Sequence, residues 1–162
     1  LEFRRVLFRF ITVNTVNEAP VQTGTAPSAI SVMEDSHNST AATLGLSGLN
    51  YAPVPATATD ESGQTLTYKI TAIPSFINVF KADGSTSVAT NDTLTLTELQ
   101  GLTYKTVANA NGTGNLTWTV TDSGDGTAPN VNTLNQSLSI VVSPVPDAGT
   151  FGGNTKIGRA HV

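Results

Sequence analysis

Three stretches of the chain alternate between apolar and polar side chains. Leu116, Trp118 and Val120 are interleaved with Thr117, Thr119 and Thr121, and Leu66, Tyr68 and Ile70 with Thr67, Lys69 and Thr71. Leu138, Ile140 and Val142 repeat the pattern. A period of two marks a strand with one buried face. Trp118 and Tyr68 are therefore predicted near the centre of the core, with Lys69 facing outward. Shorter strands are predicted near Ile30 to Met33, Thr43 to Leu46, Ile77 to Phe80, Leu94 to Leu96 and Leu102 to Thr106. Turn signals at Glu61-Ser-Gly63, Asp83-Gly84, Asn111-Gly112 and Ser123-Gly-Asp-Gly126 punctuate them. No segment sustains an apolar period of 3.6. The pattern predicts an all-β chain, an antiparallel two-sheet Greek-key β-sandwich of about seven strands.

An internal repeat sets the organisation. Ile11, Val13, Val16, Glu18 and Ala19 fall on Ile140, Val142, Val145, Asp147 and Ala148 with a constant offset of 129 residues. In both copies a strand-like alternation runs into a short linker carrying one acid. Residues 10–15 are therefore expected to be the last strand of a preceding module, residues 16–146 one full module, and residues 147–155 the start of the next. Inside the module Gly48-Leu-Asn-Tyr51 echoes Gly101-Leu-Thr-Tyr104, and Leu66-Thr-Tyr68 echoes Leu116-Thr-Trp118.

The two ends are of another kind. Glu2 to Arg9 and Lys156 to Val162 look like translated adapter oligonucleotides of short-read sequencing. Residues 1–9 and 156–162 are expected to be non-native and are set aside. This changes the charge. The whole chain has 8 Lys+Arg against 12 Asp+Glu, whereas Phe10 to Thr155 keeps 3 basic and 11 acidic residues, a net charge of −8. No nucleic-acid partner is expected, and no anionic membrane surface, because both need clustered Lys and Arg. No apolar run approaches the roughly 18 residues of a membrane span, so no membrane insertion is expected. The chain has no cysteine. With His37 the one histidine between the ends, a disulfide framework, a Cys/His zinc site and a thiol nucleophile are excluded.

The acids sort by position. If successive strands reverse direction, Asn17, Glu18, Asp60, Glu61, Asp122 and Asp125 gather at the end where the first linker arrives. Glu34, Asp35 and Glu98 fall near the opposite end, with Asp147 just beyond. These carboxylates are either solvated loop acids or oxygen ligands of a hard cation. Calcium suits oxygen-only donors on irregular loops.

The motifs resemble a known family. Ala58-Thr-Asp60-Glu-Ser-Gly63 followed by Leu66-Thr-Tyr-Lys-Ile70 looks like the B–C loop and strand C of cadherin-like domains. Val16-Asn-Glu-Ala-Pro20 is similar to their interdomain linker. Leu99-Gln-Gly-Leu-Thr-Tyr104, Asn111-Gly112 and Thr119-Val-Thr-Asp122 resemble the cadherin-like and Ig-like tandem repeats of very large bacterial surface adhesins. The resemblance implies an extracellular β-sandwich, placed at the bacterial cell surface, that binds calcium at junctions with neighbouring repeats. It would act as an extender in a filamentous adhesin. By position, Glu18, Asp60 and Asp122 would be ligands, joined by Glu61 and Asp125, while Glu34 and Glu98 would face the next junction with Asp147. The sequence departs from the family in having Glu61 and Glu18 where Asp is usual and Pro146 where Asn is usual.

Catalysis has little support. Gly-x-Ser-x-Gly, His-Glu-x-x-His and a phosphate-cradling loop are all missing. Asp122 and Asp125 sit in a Gly-rich loop that offers no cleft for glycoside hydrolysis. Asp122-Ser-Gly-Asp-Gly126 lacks EF-hand spacing and is predicted to be a turn. His37, among Ser36, Asn38 and Ser39, is predicted to be solvated, and Lys69 and Lys105 are predicted to face outward, which disfavours a Lys–Asn crosslink. The alternative function is a ligand- or carbohydrate-binding module, for which exposed aromatics would be needed. Tyr51, Tyr68, Tyr104 and Trp118 fall on expected core faces, which leaves Phe76 and Phe80.

Overall fold

The computed structural model describes residues 15–58 and 60–147. The adapter-like ends, most of the expected preceding strand (residues 10–14) and residues 148–155 of the expected next module lie outside the described residues. Within them the chain is all-β, with eleven strands in three sheets. The strands are β1 (Val21–Gln22), β2 (Ile30–Met33), β3 (Ala42–Thr43), β4 (Tyr51–Ala52), β5 (Leu66–Ala72) and β6 (Ile77–Phe80). After them come β7 (Ser87–Val88), β8 (Thr93–Leu94), β9 (Thr103–Thr106), β10 (Gly112–Asp122) and β11 (Thr133–Ser143).

The spine is the antiparallel ribbon of β10 and β11, each 11 residues long and paired from Gly112↔Val142 to Thr121↔Thr133. β5 joins the other side of β10, placing Tyr68 beside Val120 and Ile70 beside Trp118. β8 and β2 complete the five-stranded sheet β2-β11-β10-β5-β8, while β3-β9-β6-β7 form a four-stranded sheet and β1-β4 a two-stranded one. Inward residues of the two larger sheets meet in one hydrophobic cluster. Leu116, Trp118, Val120, Ile140 and Ile70 are fully buried there, because alternation puts every second residue on one face. The indole N–H of Trp118 donates to the Tyr51 hydroxyl at 3.1 Å, which satisfies a polar atom that burial would otherwise strand.

Three expectations are corrected. The count of about seven strands becomes eleven. The extra strands are two-residue pairings such as β1–β4 and β6–β7, too short to show a period. The sheets are not wholly antiparallel, since β2 runs parallel to β11 from Ile30↔Ile140 to Met33↔Ser143. Both strands run toward the same end of the molecule, so the edge can pair only in that sense. The strand expected at Leu94 to Leu96 stops at Leu94, and Leu96–Gln100 form the short helix α1. Thr95 caps it, and Glu98 reaches back to the Thr95 backbone in a capping box that ends the strand.

Candidate functional site at the two poles

The β10–β11 ribbon defines a long axis. At about 3.3 Å per residue its 11-residue strands span roughly 35 Å. At one pole β10 ends at Asp122 and β11 begins at Thr133. At the other, β11 ends at Ser143 beside Met33.

The first pole is built around Asn17. Its backbone N–H donates to Asn130 Oδ1 at 2.9 Å, and its carbonyl accepts from the Val131 N–H at 2.9 Å. The side-chain amide donates to Val131 O at 2.9 Å and to both Asp122 carboxylate oxygens at 3.2 and 3.4 Å. Its Oδ1 accepts from Gln64 Nε2 at 2.6 Å. Every polar atom of the residue is therefore engaged, and it is buried. Asp122, also buried, accepts in addition from the Gly124 N–H at 2.8 Å. Glycine at position 124 leaves room for the Asn17 carboxamide, which a Cβ there would have to displace. Buried Glu61 accepts the Glu18 backbone N–H at 3.2 Å through Oε2.

The expectation that the Gly-rich loop of Asp122 and Asp125 offers no cleft is corrected. Outside these contacts an open cleft of about 470 Å³ is lined by Thr15, Asn17, Asp60, Glu61, Gln64, Gly124, Asp125 and Asn130. It forms because the linker and the loop after Asp60 close over the Gly-rich turn. Asp60 is exposed on its rim. Asp125 is held below the ordinary carboxylate range, chiefly by the Thr127 backbone N–H, and also accepts from Asn130 Nδ2 at 2.9 Å. Gln64 Oε1 is buried without a partner.

The second pole is sparser. Buried Glu34 accepts the Val145 backbone N–H at 2.6 Å through Oε1 and Asn111 Nδ2 at 3.2 Å through Oε2. Asp35 and Asn109 both take positive φ, 62° and 55°, and the Asn109 N–H donates to Asp35 Oδ1 at 3.1 Å. Asp147 is exposed beyond them.

The loops bearing Glu18, Asp60, Glu61, Asp122 and Asp125 thus meet at one pole, and Glu34 lies at the other. Glu98 does not join it. β8 runs toward the Leu66 end of β5 and leads into α1, so Glu98 sits away from Glu34. Its carboxylate pairs with Lys81 Nζ at 2.7 Å, the one ion pair among the described residues. That contact, with the Thr95 cap, lowers its pKa to about 2 and raises that of Lys81. Among the described residues no three His, Cys, Asp or Glu side chains converge as a ready metal cage.

Sequence reasoning missed the central role of Asn17, because its partners lie more than a hundred positions away. It also placed His37 in solvent. The residue is half-buried, its ring edge-on to Tyr104 at 5.7 Å, and its backbone N–H donates to Thr106 Oγ1. Lys69 faces outward as expected, whereas Lys105 is half-buried with its ammonium 5.1 Å above the Phe80 ring. Phe76 is buried, packed against Gly112 and Gly114. No protein-family model, curated protein or solved structure matches the chain.

Proposed function

We propose that this chain is a non-catalytic repeat of a large extracellular adhesin. It would be a Greek-key, cadherin-like or Ig-like β-sandwich that spaces its neighbours along a filament and is stiffened by calcium. The observation that carries the reading is the clamped linker at each pole. A buried glutamate grips a linker backbone N–H at both ends of the long axis, Glu61 on Glu18 and Glu34 on Val145. Glu18 and Asp147 are related by the 129-residue offset. In a tandem array one linker would be gripped at Val145 by the preceding repeat and, two residues on, by the Glu61 equivalent of the following one. Such a linker transmits direction instead of acting as a free joint.

The donor chemistry of the first pole fits a hard cation. Its ionisable side chains offer only oxygens, two carboxylates are buried without a basic partner, and the cleft is open. Glu18, Asp60, Glu61, Asp122 and Asp125 would hold calcium there, with Glu34 and Asp147 contributing to the next junction. Glu98, already neutralised by Lys81, would not be a ligand. Bound calcium would supply the positive charge these acids lack. The carbohydrate-binding alternative is less well supported, since Tyr51, Tyr68, Phe76, Tyr104 and Trp118 are buried and Phe80 lies under Lys105.

Calcium titration of the full chain, followed by amide NMR, tests the reading. Saturable shifts at residues 15–18, 60–64 and 122–132, absent with magnesium, are expected. No calcium-specific shift up to about 5 mM, beyond the range of extracellular modules, would overturn the calcium assignment.

A further inference from the structure

Among the described residues four large apolar side chains are exposed, and all four lie at the poles. Val16 (41%) and Val131 (50%) sit at the first, Met33 (57%) and Val145 (40%) at the second. Val131 is tied to Asn17 by its backbone N–H, and Val145 to Glu34 by its own. The outer faces of β10 and β11 carry instead Thr117, Thr119, Thr121, Asn135, Ser137 and Ser139. Single exposed valines need no explanation, but confinement of all such residues to the two ends does.

We infer that the two patches are halves of one head-to-tail contact between successive repeats. Met33 of one repeat would face Val131 of the next, with the linker valine between them. This rests on the tandem-repeat reading above and adds to it a contact that needs no metal. The occupant follows from the repeat itself. Val145 stands 129 residues after Val16, so the valine leaving one repeat beside Met33 is the valine arriving at the next beside Val131. Size points the same way. A patch of three side chains falls well short of the roughly 1,000 Å² that a free-standing interface needs. A tethered neighbour, present at an effective concentration of order 1 mM, suffices to fill it. A contact between two different patches is head-to-tail, and with the patches at opposite ends of the long axis it extends into a filament instead of pairing off as a symmetric dimer.

The test is association of the full chain, followed by NMR diffusion and amide shifts from about 0.05 to 2 mM, the range a tether would impose, in calcium and in chelator. Concentration-dependent shifts are expected at Val16, Val131, Met33 and Val145 and their neighbours, under both conditions. Met33→Ser and Val131→Ser should each weaken self-association by about fivefold or more. An equimolar mixture of the two variants should still form a dimer, because each keeps the patch the other has lost. Both positions are exposed, and unchanged core amide shifts would verify folding. Absence of association at about 2 mM, shifts at one pole only, or a mixture no better than either variant would overturn the proposal. Association that vanishes in chelator would also overturn it, in favour of calcium bridging, and would leave the extender reading intact.

Discussion

The two poles solve the same problem, fixing a linker to a sheet end, with different numbers of bonds. At the first, Asn17 uses its N–H, its carbonyl and both side-chain atoms, and so joins three separate parts of the chain. The equivalent position after the second pole is Pro146, which has neither an N–H nor a polar side chain. What the second pole retains is the glutamate grip, Glu34 on Val145. The comparison teaches that the grip is the common device and the amide network an addition. In the tandem array proposed above, successive junctions would then differ in rigidity, with the fixed φ of Pro146 standing in for the missing hydrogen bonds.

Substitutions can break that comparison. Asn17→Ala should be the most damaging polar change, because it leaves buried Asp122 with the Gly124 N–H alone and takes from the Gln64 side chain the amide oxygen it donates to. A loss of about 2–4 kcal/mol is expected in denaturant unfolding, against about 1–2 kcal/mol for Glu34→Ala, which orphans only the Val145 N–H and the Asn111 amide. Equal losses would erase the distinction between the poles. Gly124→Ala sharpens it from the other side. The added methyl should displace the Asn17 carboxamide from Asp122 at a cost of about 1–3 kcal/mol, visible as lost protection of the Val131 amide with the second pole unaffected.

The smallest effect is acid sensitivity. Asp125, Asp83 and Glu98 all have folded pKa values below their unfolded ones, held there by the Thr127 backbone, by Thr86 and by Lys81 respectively. Groups depressed in this way contribute stability above their ordinary values near pH 4, lost as pH falls toward 2 and below. A shallow decline in melting temperature below about pH 4.5 is expected, reduced in Glu98→Gln. Because these groups are exposed, each contributes little, and a steep collapse would contradict this account of the acid sensitivity.

The core was legible because alternation is a local signal. Trp118, Tyr68, Ile140 and their neighbours lie where a period of two puts them. The two-residue strands were not, since a pairing of Val21 with Ala52 leaves no period to read. Helix α1 had a signal, Thr95 followed three residues later by Glu98, but its five residues are too few for an apolar stripe. The reversal of successive strands puts the loops of Asp60 and Asp122 at one end and that of Glu34 at the other, as found. The same reasoning misplaced Glu98, because a capping role and a distant lysine are invisible in a strand-by-strand reading. The Asn17 network, joining residues more than a hundred positions apart, exists only once the sheets have formed.

Thermal unfolding of the full chain in 1 mM calcium and in chelator, alongside Asp60→Asn, bears most directly on the stiffened-extender reading. Asp60 is exposed at the cleft rim, so its replacement leaves the fold in place. One site with a Kd of about 0.1 mM would add about 1.4 kcal/mol, a rise of roughly 3–6 °C, shrinking in Asp60→Asn and absent with magnesium. Identical melting in calcium and chelator would contradict it and reduce the poles to hydrogen-bonded linker clamps.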